Sequence, residues 1–277
     1  DPEGNSELRR YWQLYASRPA EPPQASYGEA EWVEAVHAAL KKAVKRRLDI
    51  ADVPVGVLLS GGLDSSLLVG LLAEQGVKDI LTFSIGFEDQ PEEQGSEFEY
   101  SDQVAAMYNT RHHKYQIPNE QVLQRLPEAV SQMAEPMVGQ DAVAFYLLSE
   151  RVAQEVKVVQ SGQGADEVFA GYFWYPLMAA GKGSDLERFA QYYFDRSHVE
   201  FLETVSADYR GEDHTSRLVA ELLAEPGADG YLDKVLRMDT TTLIVDDPVK
   251  RVDNMTMAWG LEARLSLIHI SEPTRPY

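Results

Sequence analysis

The stretch Val57-Leu58-Leu59-Ser60-Gly61-Gly62-Leu63-Asp64-Ser65-Ser66-Leu67 decides the fold. Three apolar residues run into a serine and paired glycines. A leucine-rich segment follows, in which Leu63, Leu67, Leu68, Leu71 and Leu72 fall at helical spacing. A strand that turns on glycines into a helix leaves small residues at the helix amino terminus. Backbone N–H groups there have no partner inside the helix, and with the helix dipole they bind phosphate oxygens; glycines let the backbone approach where a Cβ would clash. The hydroxyls of Ser60, Ser65 and Ser66 can add donors. No lysine follows the glycines, so this is not the loop that holds a terminal phosphate for transfer. A lysine-free loop suits pyrophosphate as the leaving group. Taken alone, the Gly-Gly pair also fits an ordinary turn with a serine cap.

Around this stretch, short apolar runs at 55–59, 80–87, 112–117 and 156–160 alternate with helical segments, one of them at 143–153. Strands joined by helical crossovers form a parallel sheet, so the expected class is α/β: an open parallel sheet with helices on both faces. A helix is expected over 29–48, where Val33, Val36, Leu40, Val44 and Leu48 recur with acids first and Lys41, Lys42, Lys45, Arg46 and Arg47 last, as the macrodipole favours. The proline-rich segment 17–23 reads as an extended connector. Beyond Tyr175 the pattern becomes mostly helical, with Tyr192, Tyr193, Phe194, Phe201, Leu222 and Leu223 as core candidates.

Composition narrows the chemistry. The chain has 277 residues, 44% of them apolar, enough for a substantial core. Its 45 acidic and 25 basic residues give a net charge of -20, which opposes binding to nucleic-acid backbones or anionic membranes. With no cysteine there are no disulfides, thiolate metal sites, cysteine nucleophiles or persulfides. No basic-then-apolar amino terminus and no apolar run near the ~18 residues of a membrane span occurs, so a cytoplasmic protein is expected.

A second constellation is Val158-Val159-Gln160-Ser161-Gly162-Gln163-Gly164-Ala165-Asp166-Glu167, again a strand ending in glycines and then acids. In a parallel sheet both loops lie at the carboxyl edge, where open α/β sheets bind ligands. Asp64 and Asp166 can then share one magnesium ion, which favours one or two carboxylates plus phosphate oxygens and water. The plainer reading of Asp166 and Glu167 is an acidic first helical turn. Adjacent His112 and His113 on a strand point to opposite faces and cannot readily ligate one metal. Met255, Met257 and Trp259 read as core packing, and the acids between 88 and 102 as a solvated loop.

At these two loops the chain resembles the synthetase domain of the asparagine synthetase family, within the PP-loop ATP pyrophosphatases, whose fold is Rossmann-like. The resemblance extends to Thr82-Phe83-Ser84-Ile85-Gly86-Phe87, His112-His113, Glu135-Pro136, Tyr146-Leu147-Leu148-Ser149, Asp246-Asp247-Pro248 and Met255-Thr256-Met257-Ala258-Trp259-Gly260-Leu261-Glu262-Ala263-Arg264. It implies an ATP-dependent ligase in which a small-molecule carboxylate attacks the α-phosphorus, pyrophosphate leaves, and ammonia displaces AMP. By the same resemblance, Leu58, Ile85, Ser161 and Gly162 contact ATP, and Ser60, Gly61, Gly62, Leu63, Asp64, Ser65 and Ser66 hold the pyrophosphate. Asp64 and Asp166 bind Mg2+, and Asp64, Ser65, Gln163 and Asp166 form the catalytic set. Ammonia would come from a glutaminase domain, and a homodimer is compatible with the family.

Two departures shape the expected acceptor. Gln163 stands where asparagine synthetases have a glutamate, and an amide cannot take a proton at neutral pH. Asn254 stands where the family usually has lysine or arginine, leaving Lys250 or Arg251 as substitutes. The string Ser161-Gly162-Gln163-Gly164-Ala165-Asp166-Glu167, followed by Ala170-Gly171-Tyr172-Phe173-Trp174-Tyr175-Pro176, looks most like the N-acetylglutaminylglutamine amidotransferase branch, which amidates a dipeptide to make an osmoprotectant. The alternatives are asparagine synthetase proper with aspartate as acceptor, a tRNA-modifying PP-loop protein, which the charge and lack of cysteine disfavour, and an inactive nucleotide-binding relative.

The expected organisation is a remnant and linker over 1–28, containing Arg10-Tyr11-Trp12, and a synthetase domain over 29–264. A tail over 265–277 resembles translated sequencing-adapter read-through. Relatives place a glutaminase domain before the linker.

Overall fold

The computed structural model describes residues 27–89, 95–137, 139 and 141–270, with positions 6, 7, 9 and 14 nearer the start. The expected connector at 17–23, the Arg10-Tyr11-Trp12 remnant and residues 271–277 of the expected tail lie outside the described residues. Two compact units are distinguished. One is Ala170–Thr242, and the other takes the described residues from 27 to 169 and from 243 to 270.

The larger unit is the α/β part. Helix α1 (Glu29–Asp49) opens on Glu29 and Glu31 and closes on Arg46 and Arg47, the charge order that its dipole favours. It buries Leu40, Ala43 and Val44, while Val33, first in the expected apolar row, is exposed. Then follow β1 (Val55–Leu58), α2 (Leu63–Glu74), β2 (Leu81–Phe87), α3 (Phe98–Tyr108), β3 (Arg111–Ile117), α4 (Asn119–Ser131), α5 (Asp141–Val152), β4 (Val158–Ser161) and the short α6 (Ala165–Phe169).

Five strands form one parallel sheet in the order β3-β2-β1-β4-β5, with β5 at Glu262–Leu265. The alternation of a strand sends Val57 and Leu59 to one face, against Leu40 and Val44 of α1 and Leu68, Val69 and Leu72 of α2. Leu267, after β5, joins the same cluster and is buried. Leu58, Phe83 and Val159 face the other way, against Leu148 and Val152 of α5. A strand buried on both faces reads as a continuous apolar run, which is why β1 was plain in the sequence. Gly56 is required by this packing: a Cβ there would lie 2.5 Å from a ring carbon of Phe83.

The helical unit holds α7 (Trp174–Ala180), α8 (Asp185–Tyr193), α9 (His198–Thr204), α10 (His214–Ala224) and α11 (Tyr231–Met238). Its core gathers Tyr175, Met178, Phe189, Val219, Leu223, Val235 and Met238. Leu223 sits in it as expected, but α9 buries no residue and Phe201 is exposed, so the expectation for Phe201 is corrected. In this seven-residue helix Val199 is exposed as well as Phe201, so no apolar stripe long enough to pack is formed. Buried Arg237 donates from its guanidinium to the carbonyls of Leu222, Glu225 and Pro226 at 2.7, 2.9 and 2.9 Å, closing the end of α10. The hydroxyls of Tyr175 and Tyr193 both donate to Asp239 Oδ2, and burial first, then the bonds of Tyr175 to Tyr193 and Asp239, hold its phenol protonated far above its ordinary range.

Two wide, π-helical turns follow, Asp239–Leu243 and Val245–Val249, the second around Pro248, which has no N–H to give to a regular ladder. They lead into α12 (Lys250–Met257), whose Met255 is fully buried. Met257, read as core, is half exposed, because two residues on it faces away from the seam that buries Met255.

Candidate functional site

From β1 the sheet grows toward β2 and β3 on one side and toward β4 and β5 on the other. The crevice beyond the carboxyl ends of β1 and β4 is therefore the switch point of the sheet, where open α/β proteins bind ligands. Both glycine loops leave from these two strand ends.

In the first loop, Gly61 has φ +94°, and a Cβ there would lie 2.5 Å from Tyr100 Cβ and 2.6 Å from Ser101 N. The loop rests on the first turn of α3, an approach that only glycine permits. Gly62 is the N-cap of α2, and no side chain caps that helix. The ordinary serine-capped turn is thus not what forms. Ser60 Oγ accepts instead from Gly62 N–H at 3.2 Å. Ser65 and Ser66, read as donors to phosphate, both donate to the Gly62 carbonyl, at 3.2 and 2.7 Å, and so brace the loop from within. Ser60 is the hydroxyl at the exposed mouth, with its Oγ 3.0 Å from Ser65 Oγ. Leu63, counted in the apolar helix face, is 83% exposed, since the first helical position projects out of the loop rather than onto the sheet.

The second loop lies against the first. A Cβ on Gly162 would come within 3.0 Å of Asp64 Cβ and 3.1 Å of Ser65 N. Gln163 N–H donates to Ser161 Oγ at 3.4 Å, and Gly164, at φ +87°, leads into α6 with Asp166 half buried and Glu167 buried. Leu58 is buried beneath the first loop, and Ile85 of β2 packs on the same apolar cluster.

The crevice is acidic. The Asp64 carboxyl is held above the usual range, first by burial and then by the charges of Asp166 and Glu167. Among the described residues no group of three or more His, Cys, Asp or Glu side chains stands ready to hold a metal. A metal here would have two carboxylates from the chain and its remaining ligands from phosphate and water, a donor set that fits magnesium.

Lys250 and Arg251, the candidate substitutes for the family cation at Asn254, are both engaged. Lys250 pairs with Glu135 at 2.7 Å and Asp246 at 3.1 Å, and Arg251 with Asp247 at 2.9 Å and Asp141 at 3.6 Å. Asn254 itself accepts from Ala134 N–H at 2.8 Å and donates to the Lys250 carbonyl at 2.9 Å, tying α12 to the segment before Glu135-Pro136. A groove of about 540 Å³, lined by Leu126, Val130, Met133, Pro136, Met137 and Val143 among others, lies beside this segment and touches neither loop. Tyr172–Tyr175 belong to the helical unit.

The family model described as asparagine synthase matches residues 35–270. The chain belongs to the asparagine synthase family. It is 34% identical to a probable glutamine-hydrolysing asparagine synthetase of Dictyostelium discoideum, covering 53% of this chain and 28% of the relative. A putative glutamine-hydrolysing asparagine synthetase of Methanocaldococcus jannaschii is 36% identical over 60% of this chain and 31% of its own. The putative asparagine synthetase of Mycobacterium bovis is 26% identical over 88% of this chain and 41% of its own. The chain thus spans less than half the length of these relatives. Placed in the family, the two loops of the switch point are the parts on which a shared chemistry would rest. Beneath the first loop, Ser84 and His112, which the sequence showed only within the resembling motifs, meet Ser101, which it did not single out. No helix among the described residues is long and apolar enough to cross a membrane.

Proposed function

We propose that this asparagine-synthase domain activates a substrate carboxylate with ATP and converts it to an amide. The observation that carries the reading is the contact of Gly162 with Asp64 and Ser65, which joins two glycine loops at the switch point of the sheet. The triphosphate would lie on the free N–H groups at the start of α2, where Gly61 and Gly62 allow close approach. Asp64 and Asp166 would hold magnesium, which when bound supplies charge neutralisation for the phosphates. A carboxylate oxygen of the acceptor attacks the α-phosphorus, the bond to the β,γ-pyrophosphate breaks, and pyrophosphate departs along the loop. Ammonia, delivered by a glutaminase domain, then attacks the acyl carbon and the bond to AMP breaks. The chain's own contribution is positioning and charge compensation, because its acids and serines brace or neutralise rather than form covalent bonds.

For the acceptor we propose N-acetylglutaminylglutamine. Gln163 supports this: an amide donates and accepts hydrogen bonds, and so suits an acceptor rich in amides better than an aspartate with a charged amino group. Aspartate is the second reading, favoured by the names of the relatives. Pyrophosphate release from Mg·ATP, measured with ammonia and either acceptor on a version of the chain extended to the length of its relatives, decides. Release with the dipeptide and not with aspartate is expected. Release with aspartate alone overturns the acceptor assignment, and ATP binding with no release for any carboxylate overturns the activity.

A further inference from the structure

Beneath the first loop lies a polar cluster that the proposed chemistry does not use. His112, on β3, is nearly buried. Its Nδ1 lies 2.9 Å from Thr82 Oγ1, which lies 2.8 Å from Thr110 Oγ1. Its Nε2 lies 3.2 Å from Ser101 Oγ on α3 and 3.5 Å from Ser84 Oγ on β2. The two serine protons have other destinations: Ser101 Oγ donates to the Phe98 carbonyl at 3.2 Å, and Ser84 Oγ donates to the carbonyl of Leu59. Each oxygen can therefore only accept from the ring, so Nε2 carries the hydrogen. Nδ1 can then accept from Thr82 Oγ1, and Thr110 can donate to Thr82 in turn, an arrangement that suits a neutral ring. The charged groups nearby balance: Asp102 Oδ1 is 3.9 Å from Nε2, while its other oxygen takes Lys114 Nζ at 2.8 Å. Burial, the largest influence, holds the ring pKa below its ordinary value against Asp102 and a hydrogen bond to the Thr82 backbone, with Lys114 and His113 acting in the same sense as burial.

Both serines on Nε2 touch the loop. Ser84 holds the carbonyl of Leu59, the residue before Ser60, whose N–H donates to the Phe83 carbonyl at 2.8 Å. Ser101 belongs to the turn of α3 on which Gly61 rests, its backbone N lying 2.6 Å from the place of a Gly61 Cβ. The ring thus spans the gap between the strand that fixes the start of the loop and the helix that supports its middle.

We propose that His112, as the neutral Nε2–H tautomer, is a positioning residue for the nucleotide loop, setting the spacing between β2 and α3 on which Leu59 and Gly61 depend. The proposal rests on the reading that this loop binds ATP. In the full chain, Mg·ATP binding by calorimetry, thermal melting and the histidine ¹⁵N–¹H spectrum test it together. The wild-type ring should show hydrogen on Nε2 at neutral pH. His112→Ala should weaken Mg·ATP binding about tenfold, the worth of one lost hydrogen bond carried into the loop. His112→Gln, whose amide nitrogen can replace Nε2, should recover most of that loss, a rescue that a residue serving only as packing would not give. Should His112→Ala fail to fold, Ser101→Ala, which removes the acceptor on α3, should produce the same weakening. Hydrogen on Nδ1 in the wild type overturns the proposal, as does unchanged binding in a folded His112→Ala or Ser101→Ala. A wild-type chain that does not bind Mg·ATP overturns the nucleotide reading and this proposal with it; wild-type binding with unchanged variants overturns the proposal alone.

Discussion

Gly61→Ala should be costly for two separable reasons. At φ +94° a side chain is strained, by about 1–2 kcal/mol for a left-handed residue. The new methyl would also lie 2.5 Å from Tyr100 Cβ, 2.6 Å from Ser101 N and 2.8 Å from Tyr100 C, two of them backbone atoms that cannot swing aside, and overpacking of this kind costs about 1–3 kcal/mol. The total is roughly 3 kcal/mol. If the loop shifts to relieve the clash, the cost falls on binding, at about a hundredfold in affinity for Mg·ATP. If the loop holds, it falls on folding, at roughly 6–12 °C in Tm for a domain of this size. Gly76→Ala is the control, because Gly76 also has positive φ, +81°, but nothing lies within 4 Å of its Cβ position and it sits just past the far end of α2. It should lose only the conformational part in Tm, about 1–2 kcal/mol, and leave ATP binding unchanged. Calorimetric titration and thermal melting of both variants measure the two shares. A Gly61→Ala protein as stable as Gly76→Ala that binds Mg·ATP with wild-type affinity would refute the claim that the loop rests on α3.

Asp64→Asn removes a carboxylate from an acidic crevice, so without metal the variant should melt no lower than wild type, while pyrophosphate release should fall about a hundredfold or more, several kcal/mol of lost charge compensation. The pH sign follows from the same residue. Its folded pKa is raised, so the folded state binds more protons and the contribution of Asp64 to stability, full below the unfolded value of 3.8, is lost as pH rises through the folded pKa. Urea melts from pH 7 downward should show wild type gaining on Asp64→Asn as the pH falls, and magnesium should abolish the difference. Gln163→Glu restores the family's acid and should raise aspartate-dependent pyrophosphate release at least about tenfold relative to release with the dipeptide; no change in that ratio removes Gln163 from the specificity argument. Arg237→Met strips three carbonyls at the end of α10 of a charged donor, and chemical denaturation should show a loss of about 3 kcal/mol or more, read on near-ultraviolet signals of the aromatic core of the helical unit.

The sequence by itself determined the local devices. An apolar run before paired glycines and a leucine-rich segment specify strand, turn and helix within one short window, since each needs only neighbours along the chain, and β1 through β4 and α1 could be read this way. β5 could not, because Glu262-Ala263-Arg264-Leu265 has no alternation to show and becomes a strand only by pairing with β4. Hydroxyl roles were equally hidden. Whether Ser65 and Ser66 face a phosphate or the Gly62 carbonyl depends on where the backbone turns. Only the tertiary structure set the two loops against each other, since Asp64 and Gly162 lie far apart along the chain and meet through the pairing of β1 with β4. Burial first, and then the acids which that pairing brings near, raise the Asp64 pKa, because a carboxylate's surroundings in space, not in sequence, set it. Gly61, read in the sequence as a glycine needed for close approach of a ligand, acquires a further necessity from α3 beneath it.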